Sequence, residues 1–230
     1  MDTHRQEADT GAVDPMLQVA LDYTECGLAV FPTHGKTPFK HSHGVKDAST
    51  DPKQVRENWA LHPFANIAIA CGTISQLVVV EDDSDEARAE LAALESKHGP
   101  LPRTAMSKTQ RGHHRYFSIP DGVRIPHKGK KDRSPLEIIS DGHYVLAPPS
   151  IHPSGIRYKW ANDITEFAEA PSWLIQYAIE KVGRANECTN AGGALQRRRS
   201  VTEACLNIYS PEAYSAHSRC APVGPGGRPL

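Results

Sequence analysis

The densest chemistry in the chain lies between Leu77 and Asp85. Four apolar residues, Leu77, Val78, Val79 and Val80, run without a linker into Glu81, Asp82, Asp83, Ser84 and Asp85. Such a run predicts a buried strand that delivers carboxylates to its open end. Side chains alternate faces along a strand, so Glu81 and Asp83 share one face and Asp82 points to the other. Two carboxylates on one face suit a hard cation such as Mg²⁺. Two such ions about 4 Å apart can activate an attacking oxygen and stabilise a leaving phosphate. The same stretch also fits a helix start, with Asp83 as the cap, Glu86 three positions on, and acids favoured by the helix dipole. On this stretch alone both readings stand.

Three further pieces carry chemical potential. Gly112, His113 and His114 lead into Arg115, Tyr116 and Phe117, where glycine lets backbone approach a ligand and a histidine opens a strand. The two adjacent histidines face opposite ways, so at most one can reach the carboxylates. Glu137 sits in the apolar run Leu136 to Ile139. A carboxylate there is costly to bury unless paired or bound to a cation, and an edge strand with Glu137 turned to water is the alternative. Lys128, Lys130, Lys131 and Arg133 form a basic loop just before that strand, placed to meet phosphates or simply solvated.

The elements that must position these residues follow from pattern. Asp14 and Pro15 start a helix that stops near Gly27, and Leu28 to Phe31 is the first expected strand. A Gly- and His-rich loop, Thr33 to Lys46, follows; its His41 and His43 lack a convincing set of metal-binding partners. Asp51 and Pro52 open a second helix running to about Trp59. Asn66 to Ala70 is a strand that closes on Gly72, with a tight turn before Leu77. Asp85 to Lys97 is an Ala-, Glu- and Leu-rich helix ending at Gly99. Short strands follow at Thr104 to Ser107, His113 to Phe117, Leu136 to Ile139 and Tyr144 to Ala147. Asp141 and Gly142 are read as the turn of the last pair. Arg157 to Trp160 is one more strand, and Pro171 to Val182 a closing helix. Helices packed on a mainly antiparallel sheet imply an α+β fold.

Composition narrows the classes. The 230 residues suffice for one sizeable core. Residues 1–13 read as a mobile leader, 14–182 as the folded domain, and 183–230, with Gly192, Gly193 and the Arg197 to Arg199 run, as a disordered or poorly packed tail. No apolar run approaches the roughly 20 residues of a membrane span, and the polar start lacks a signal-peptide core. Cytoplasmic residence is expected. Five cysteines without a C-x-x-C spacing argue against a disulfide framework and a thiolate zinc site. A formal net charge of −1 excludes a globally basic nucleic-acid binder, so any phosphate-binding surface must be a local patch.

At this point the ordered pieces matter more than any one spacing. They are Gly27 to Pro32, Gly35-Lys36-Thr37-Pro38, Lys46 to Pro52, Ala65 to Ile69, Leu77 to Asp83, Gly112 to Phe117, and Gly142 to Ser150 with Ala147-Pro148-Pro149-Ser150. Together, from about Met16 to Ile179, the chain resembles the N-terminal bifunctional primase-polymerase (Prim-Pol) domain of plasmid, phage and integrated-element replication proteins, a branch of the archaeo-eukaryotic primase superfamily. The resemblance implies a catalytic sheet related to RNA-recognition-type domains beside a smaller α/β lobe. It makes Glu81 and Asp83 the paired acids of the first catalytic motif, His114 the histidine of the second and Glu137 the acid of the third. In the family the three acids hold divalent metal, Mg²⁺ or Mn²⁺, and the histidine contacts the phosphates of the incoming nucleotide.

The implied activity is template-directed nucleotidyl transfer, with nucleoside triphosphates and a DNA template as partners and no membrane. Lys36, Ser107 and Lys108 are further expected at the nucleotide, and Lys128, Lys130, Lys131 and Arg133 at nucleic acid. Glutamate stands at 81 and 137 where the family usually or commonly has aspartate, which moves the ligand oxygens by about one C–C bond where Mg²⁺ wants near-octahedral geometry. The alternative is therefore a catalytically impaired, primase-like nucleic-acid-binding module. The chain contains no G-x-x-x-x-G-K-[ST] phosphate loop, so it reads either as a stand-alone primase-like unit or as a shortened relative whose motor is lost or separate, in which last case a replicative helicase would be a partner. A rolling-circle-type nuclease fits less well, because its two metal-binding histidines must share a strand face.

Overall fold

The computed structural model describes residues 14–126 and 135–182. The expected leader, the tail from 183 and the basic loop with Lys128, Lys130, Lys131 and Arg133 lie outside the described residues.

Helix α1, Pro15–Glu25, starts where sequence places it: the Asp14 carboxylate accepts from Met16 N at 2.8 Å, and Pro15 needs no partner in the first turn. Strands β1, Val30–His34, and β2, Thr37–Pro38, form a hairpin. Helix α2, Pro52–Leu61, uses the same device, with Asp51 accepting from Lys53 N at 2.9 Å. Strands β3, Asn66–Ala70, and β4, Leu77–Glu81, precede helix α3, Asp85–His98. Then come β5, Met106–Lys108, β6, His113–Ser118, β7, Glu137–Ile139, β8, Tyr144–Leu146, β9, Lys159–Trp160, and β10, Ala168–Glu169, before helix α4, Ser172–Val182.

The strands sort into two sheets. The first has the order β2-β1-β3-β8, and the second β7-β4-β6-β5-β9 with β10 alongside β6. Every pairing is antiparallel except that of β10 with β6, and the fold is α+β. Among the described residues no helix is long and apolar enough to cross a membrane.

Strand β4 explains its own sequence. Leu77 and Val79 enter a core shared with α1, α2 and both sheets, including Tyr23, Trp59, Ile67, Ile69 and Tyr116. Val78 and Val80 enter a second core under α3 and α4, with Leu91, Phe117 and Leu174. Both faces are buried, so the strand is apolar at every position instead of alternating. Its burial ends at Glu81, which is half-buried.

Four expectations change. The first strand reaches His34 because Thr37 and Pro38 fold back on it, so part of the expected loop is hairpin. Asp141 and Gly142 do not close a hairpin: β7 pairs with β4 in the second sheet and β8 with β3 in the first, so these residues carry the chain from one sheet to the other. The turn from β3 to β4 makes the opposite crossing. The two crossings are fastened together where Thr73 donates from its N–H and hydroxyl to Asp141 Oδ1, at 2.8 and 3.0 Å. Gly72 there has φ +85°, and a Cβ would lie 2.2 Å from that same carboxylate oxygen. Third, the cap of α3 is Ser84, whose hydroxyl accepts from Ala87 N at 3.1 Å, so Asp83 is not needed for capping. Fourth, β5 and β9 are displaced or shorter than expected, beginning at Met106 and Lys159.

Candidate active site

Strand register builds the site. Glu81 on β4 lies directly opposite His114 on β6 and, on its other side, opposite Glu137 on β7. His114 in turn lies opposite Ser107 on β5, and Ser107 opposite Trp160 on β9. Directly paired residues project from the same face. A single row therefore crosses the sheet: Glu137, Glu81, His114, Ser107, Trp160. It occupies the face that carries Val79, Tyr116 and Ile139 into the shared core, at the end where β4 stops. Asp83 follows two residues after Glu81.

The row is electrostatically uneven. His114 is buried, and its Nε2 lies 3.4 Å from Glu81 Oε1. Its Nδ1 is also buried and has no hydrogen-bond partner among the described residues. Burial pushes the Glu81 carboxyl up, but the hydrogen bond and charge of His114, with Lys36 and Arg111 adding, outweigh it and hold Glu81 below the usual glutamate range. Glu137, exposed on the edge strand β7, goes the other way. Partial desolvation raises it first, and the charges of Glu81 and Asp83 raise it further against His114 and Lys36. Neighbouring carboxylates that repel each other mark a face short of positive charge.

The residues expected at the site fare differently. Glu81, Glu137 and His114 come together in register, with Asp83 at the end of the row. Lys36, at the turn of the β1–β2 hairpin, is near enough for its charge to act on both glutamates. Tyr144 Oη fixes this turn by donating to Lys36 O at 2.9 Å. Ser107 is in the row but fully buried, its hydroxyl engaged with Tyr116 Oη at 2.9 Å. Lys108 pairs with His113 and projects from the opposite face.

The chain matches the sequence model of the bifunctional DNA primase/polymerase, N-terminal family over residues 20–173, more than half of its length. The chain belongs to this family. No curated protein matches its sequence.

Within this primase/polymerase domain, sequence reasoning missed Arg111. Its guanidinium donates to Asp83 Oδ2, an ion pair between a largely exposed arginine and a partly covered aspartate. The signal was available, since Arg111 immediately precedes Gly112 and so sits on the turn that feeds His114 into β6. Tyr158 was missed as well. It is buried with its ring 6.0 Å from that of His114 and 6.4 Å from that of His152.

The donor chemistry fits a divalent cation: carboxylates projecting from one face, hard oxygen donors, and excess negative charge. Among the described residues no three His, Cys, Asp or Glu side chains form a ready-made cage. Asp83 instead pairs with Arg111, and Glu81 lies 3.4 Å from His114 Nε2.

Proposed function

We propose that the chain is a template-directed nucleotidyltransferase in the replication of a plasmid, phage or integrated element, and that the row Glu137–Glu81–His114 with Asp83 is its active site. The observation that carries this reading is the register of β7, β4 and β6, which sets two acids and one imidazole side by side at the end of a strand buried on both faces.

In this reading Glu81, Asp83 and Glu137 would hold two Mg²⁺ or Mn²⁺ ions. When bound, such ions lower the pKa of a 3′-hydroxyl and neutralise charge on the triphosphate. The chain's own groups then divide the work. His114, held against Glu81 and walled by Tyr158, presents its imidazole to the triphosphate. Lys36 brings positive charge from the hairpin, and the loop with Lys128, Lys130, Lys131 and Arg133 adds cationic side chains for nucleic acid. Arg111, which pairs with Asp83, would be available to phosphate oxygens were Asp83 to hold a cation, and its planar fork is suited to them.

Primer extension and unprimed synthesis with Mg²⁺ or Mn²⁺ test this. Wild-type protein is expected to incorporate nucleotide and Asp83→Ala to lose that activity. Equal incorporation by the two proteins contradicts the assignment.

The Arg111–Asp83 pair also favours a second reading, a nucleic-acid-binding module in which the pair is permanent and chemistry is lost. Calorimetric titration separates the two: metal-dependent nucleotide binding belongs to the first, metal-independent DNA binding without nucleotide affinity to the second.

A further inference from the structure

The β1–β2 hairpin has two ends, and only its turn is used above. Lys36 at the turn faces the acidic row. At the other end, Phe39 follows β2 and stacks on His62, with ring centroids 3.7 Å apart and planes 4° from parallel. His34 packs at 6.1 Å from the same phenyl ring. Just beyond, Phe64 is 66% exposed and Leu61 is 75% exposed, the two most open large apolar side chains among the described residues.

Phe64 does not get there by default. Its φ of +59° lies in the left-handed region, which a bulky side chain rarely adopts and which costs about 1 kcal/mol or more. Asp14 pins it: one carboxylate oxygen caps α1 at Met16 N, and the other accepts from Phe64 N at 2.8 Å. A backbone held in a costly conformation so as to display a phenyl ring to water calls for an occupant.

We propose that Phe39, His62 and Phe64 form a stacking platform for single-stranded nucleic acid, a track along which the template strand reaches the acidic row past Lys36. This rests on the polymerase reading above. The occupant follows from charge and shape together. Phe39 and His62 stack face to face and are each half-exposed, and a base can extend such a stack whatever its sequence. The exposed side chains Lys36 and Lys40 bracket Phe39, placing cations where a phosphate backbone would run. The hairpin turn is tied down, with Asn66 Nδ2 donating to Gly35 O at 3.1 Å and Tyr144 Oη to Lys36 O at 2.9 Å.

The test uses the full chain and a fluorescein-labelled 20-mer of thymidylate, read by anisotropy without added metal or nucleotide. Phe39→Ala combined with Phe64→Ala is expected to weaken binding about tenfold or more, the range of losing one or two stacked bases. Its melting temperature and its Mn²⁺-dependent binding of a fluorescent nucleoside triphosphate should match wild type. Oligonucleotide anisotropy is the deciding readout. Because that readout needs no catalysis, a platform that binds DNA in an inactive protein refutes the polymerase reading alone. Wild-type affinity in the double variant overturns the platform. So does a wild-type protein that ignores the oligonucleotide and instead uses these rings to self-associate in sedimentation. Phe39→Tyr with Phe64→Tyr, which keeps the stacking surface, should restore affinity and thereby excludes a folding defect.

Discussion

Consecutive acids at the end of β4 live in opposite circumstances. Asp82 is buried and satisfied: its carboxylate accepts from His113 N at 2.8 Å and from Arg115 Nη1, and Arg88 Nη1 donates to its backbone oxygen at 2.8 Å. Glu81 and Asp83, on the other face, are only partly covered and border an exposed Glu137 whose carboxyl is raised first by desolvation and then by their charges. One face of the strand end is closed, a clasp that ties β4 to the start of β6 and to α3. The other is open and short of cations. Residue type alone does not separate the clasped acid from the open ones here; strand parity and the partners across the sheet do.

Removing the clasp should give the largest effect. Asp82→Ala leaves Arg115 and the His113 N–H without their acceptor, and a broken buried pair costs about 3 kcal/mol, or a fall of roughly 10 °C in melting temperature for a domain of this size. Asp83→Ala removes only an accessible ion pair, so its melting temperature should stay within about 2 °C of wild type. Thermal melts of the two variants decide the matter, and similar losses would erase the distinction between the faces.

Gly112 comes next, because β6 approaches β4 more closely than a side chain permits. A Cβ at Gly112 would lie 2.3 Å from the Asp82 backbone oxygen. Gly112→Ala must push the strands apart just where His114 meets Glu81, with an expected loss of about 2 kcal/mol and a parallel loss of nucleotide affinity. Chemical denaturation and nucleotide titration check both.

The smallest effects lie within the row and have opposite signs. Glu81 has a lowered pKa when folded, so its ionised form stabilises the fold above the usual glutamate range, and that contribution is lost as pH falls through the lowered value. Glu81→Gln should therefore lower the metal-free melting temperature slightly at pH 7. Glu137 is raised when folded, so its ionised form is a burden at neutral pH that lifts as pH falls through the raised value toward the usual range. Glu137→Gln should raise the metal-free melting temperature by about 1–2 °C at pH 7, discounted for its exposure, and by nothing near pH 4. Melts at the two pH values show whether the signs differ.

Much of this was legible in the chain. Helix starts at Asp14-Pro15 and Asp51-Pro52 are local chemistry, and local chemistry fixed them. The apolar run of β4 announced a strand covered on both sides, and parity along it separated Asp82 from Glu81 and Asp83 before any contact was known. What could not be read was pairing. Asp141-Gly142 has hairpin letters, yet the residue that commits it to a crossing is Thr73, 68 positions away. That Glu137 stands beside Glu81 depends likewise on β7 joining β4, a long-range choice made by burial of Ile139 in the shared core. Arg111 escaped notice because an arginine on a polar turn carries no periodic signal; only its partner gives it meaning.

The central claim is that Glu137, Glu81 and Asp83 act as one cation site beside His114. Electron paramagnetic resonance titration of Mn²⁺ in the presence of a nucleoside triphosphate addresses it directly, with wild type compared with Glu81→Gln and Glu137→Gln. The expected result is protein-bound Mn²⁺ in wild type, with loss of affinity in both variants and no loss in Lys108→Ala, whose side chain leaves the other face of the sheet. Equal Mn²⁺ binding by wild type and both glutamine variants would contradict the account.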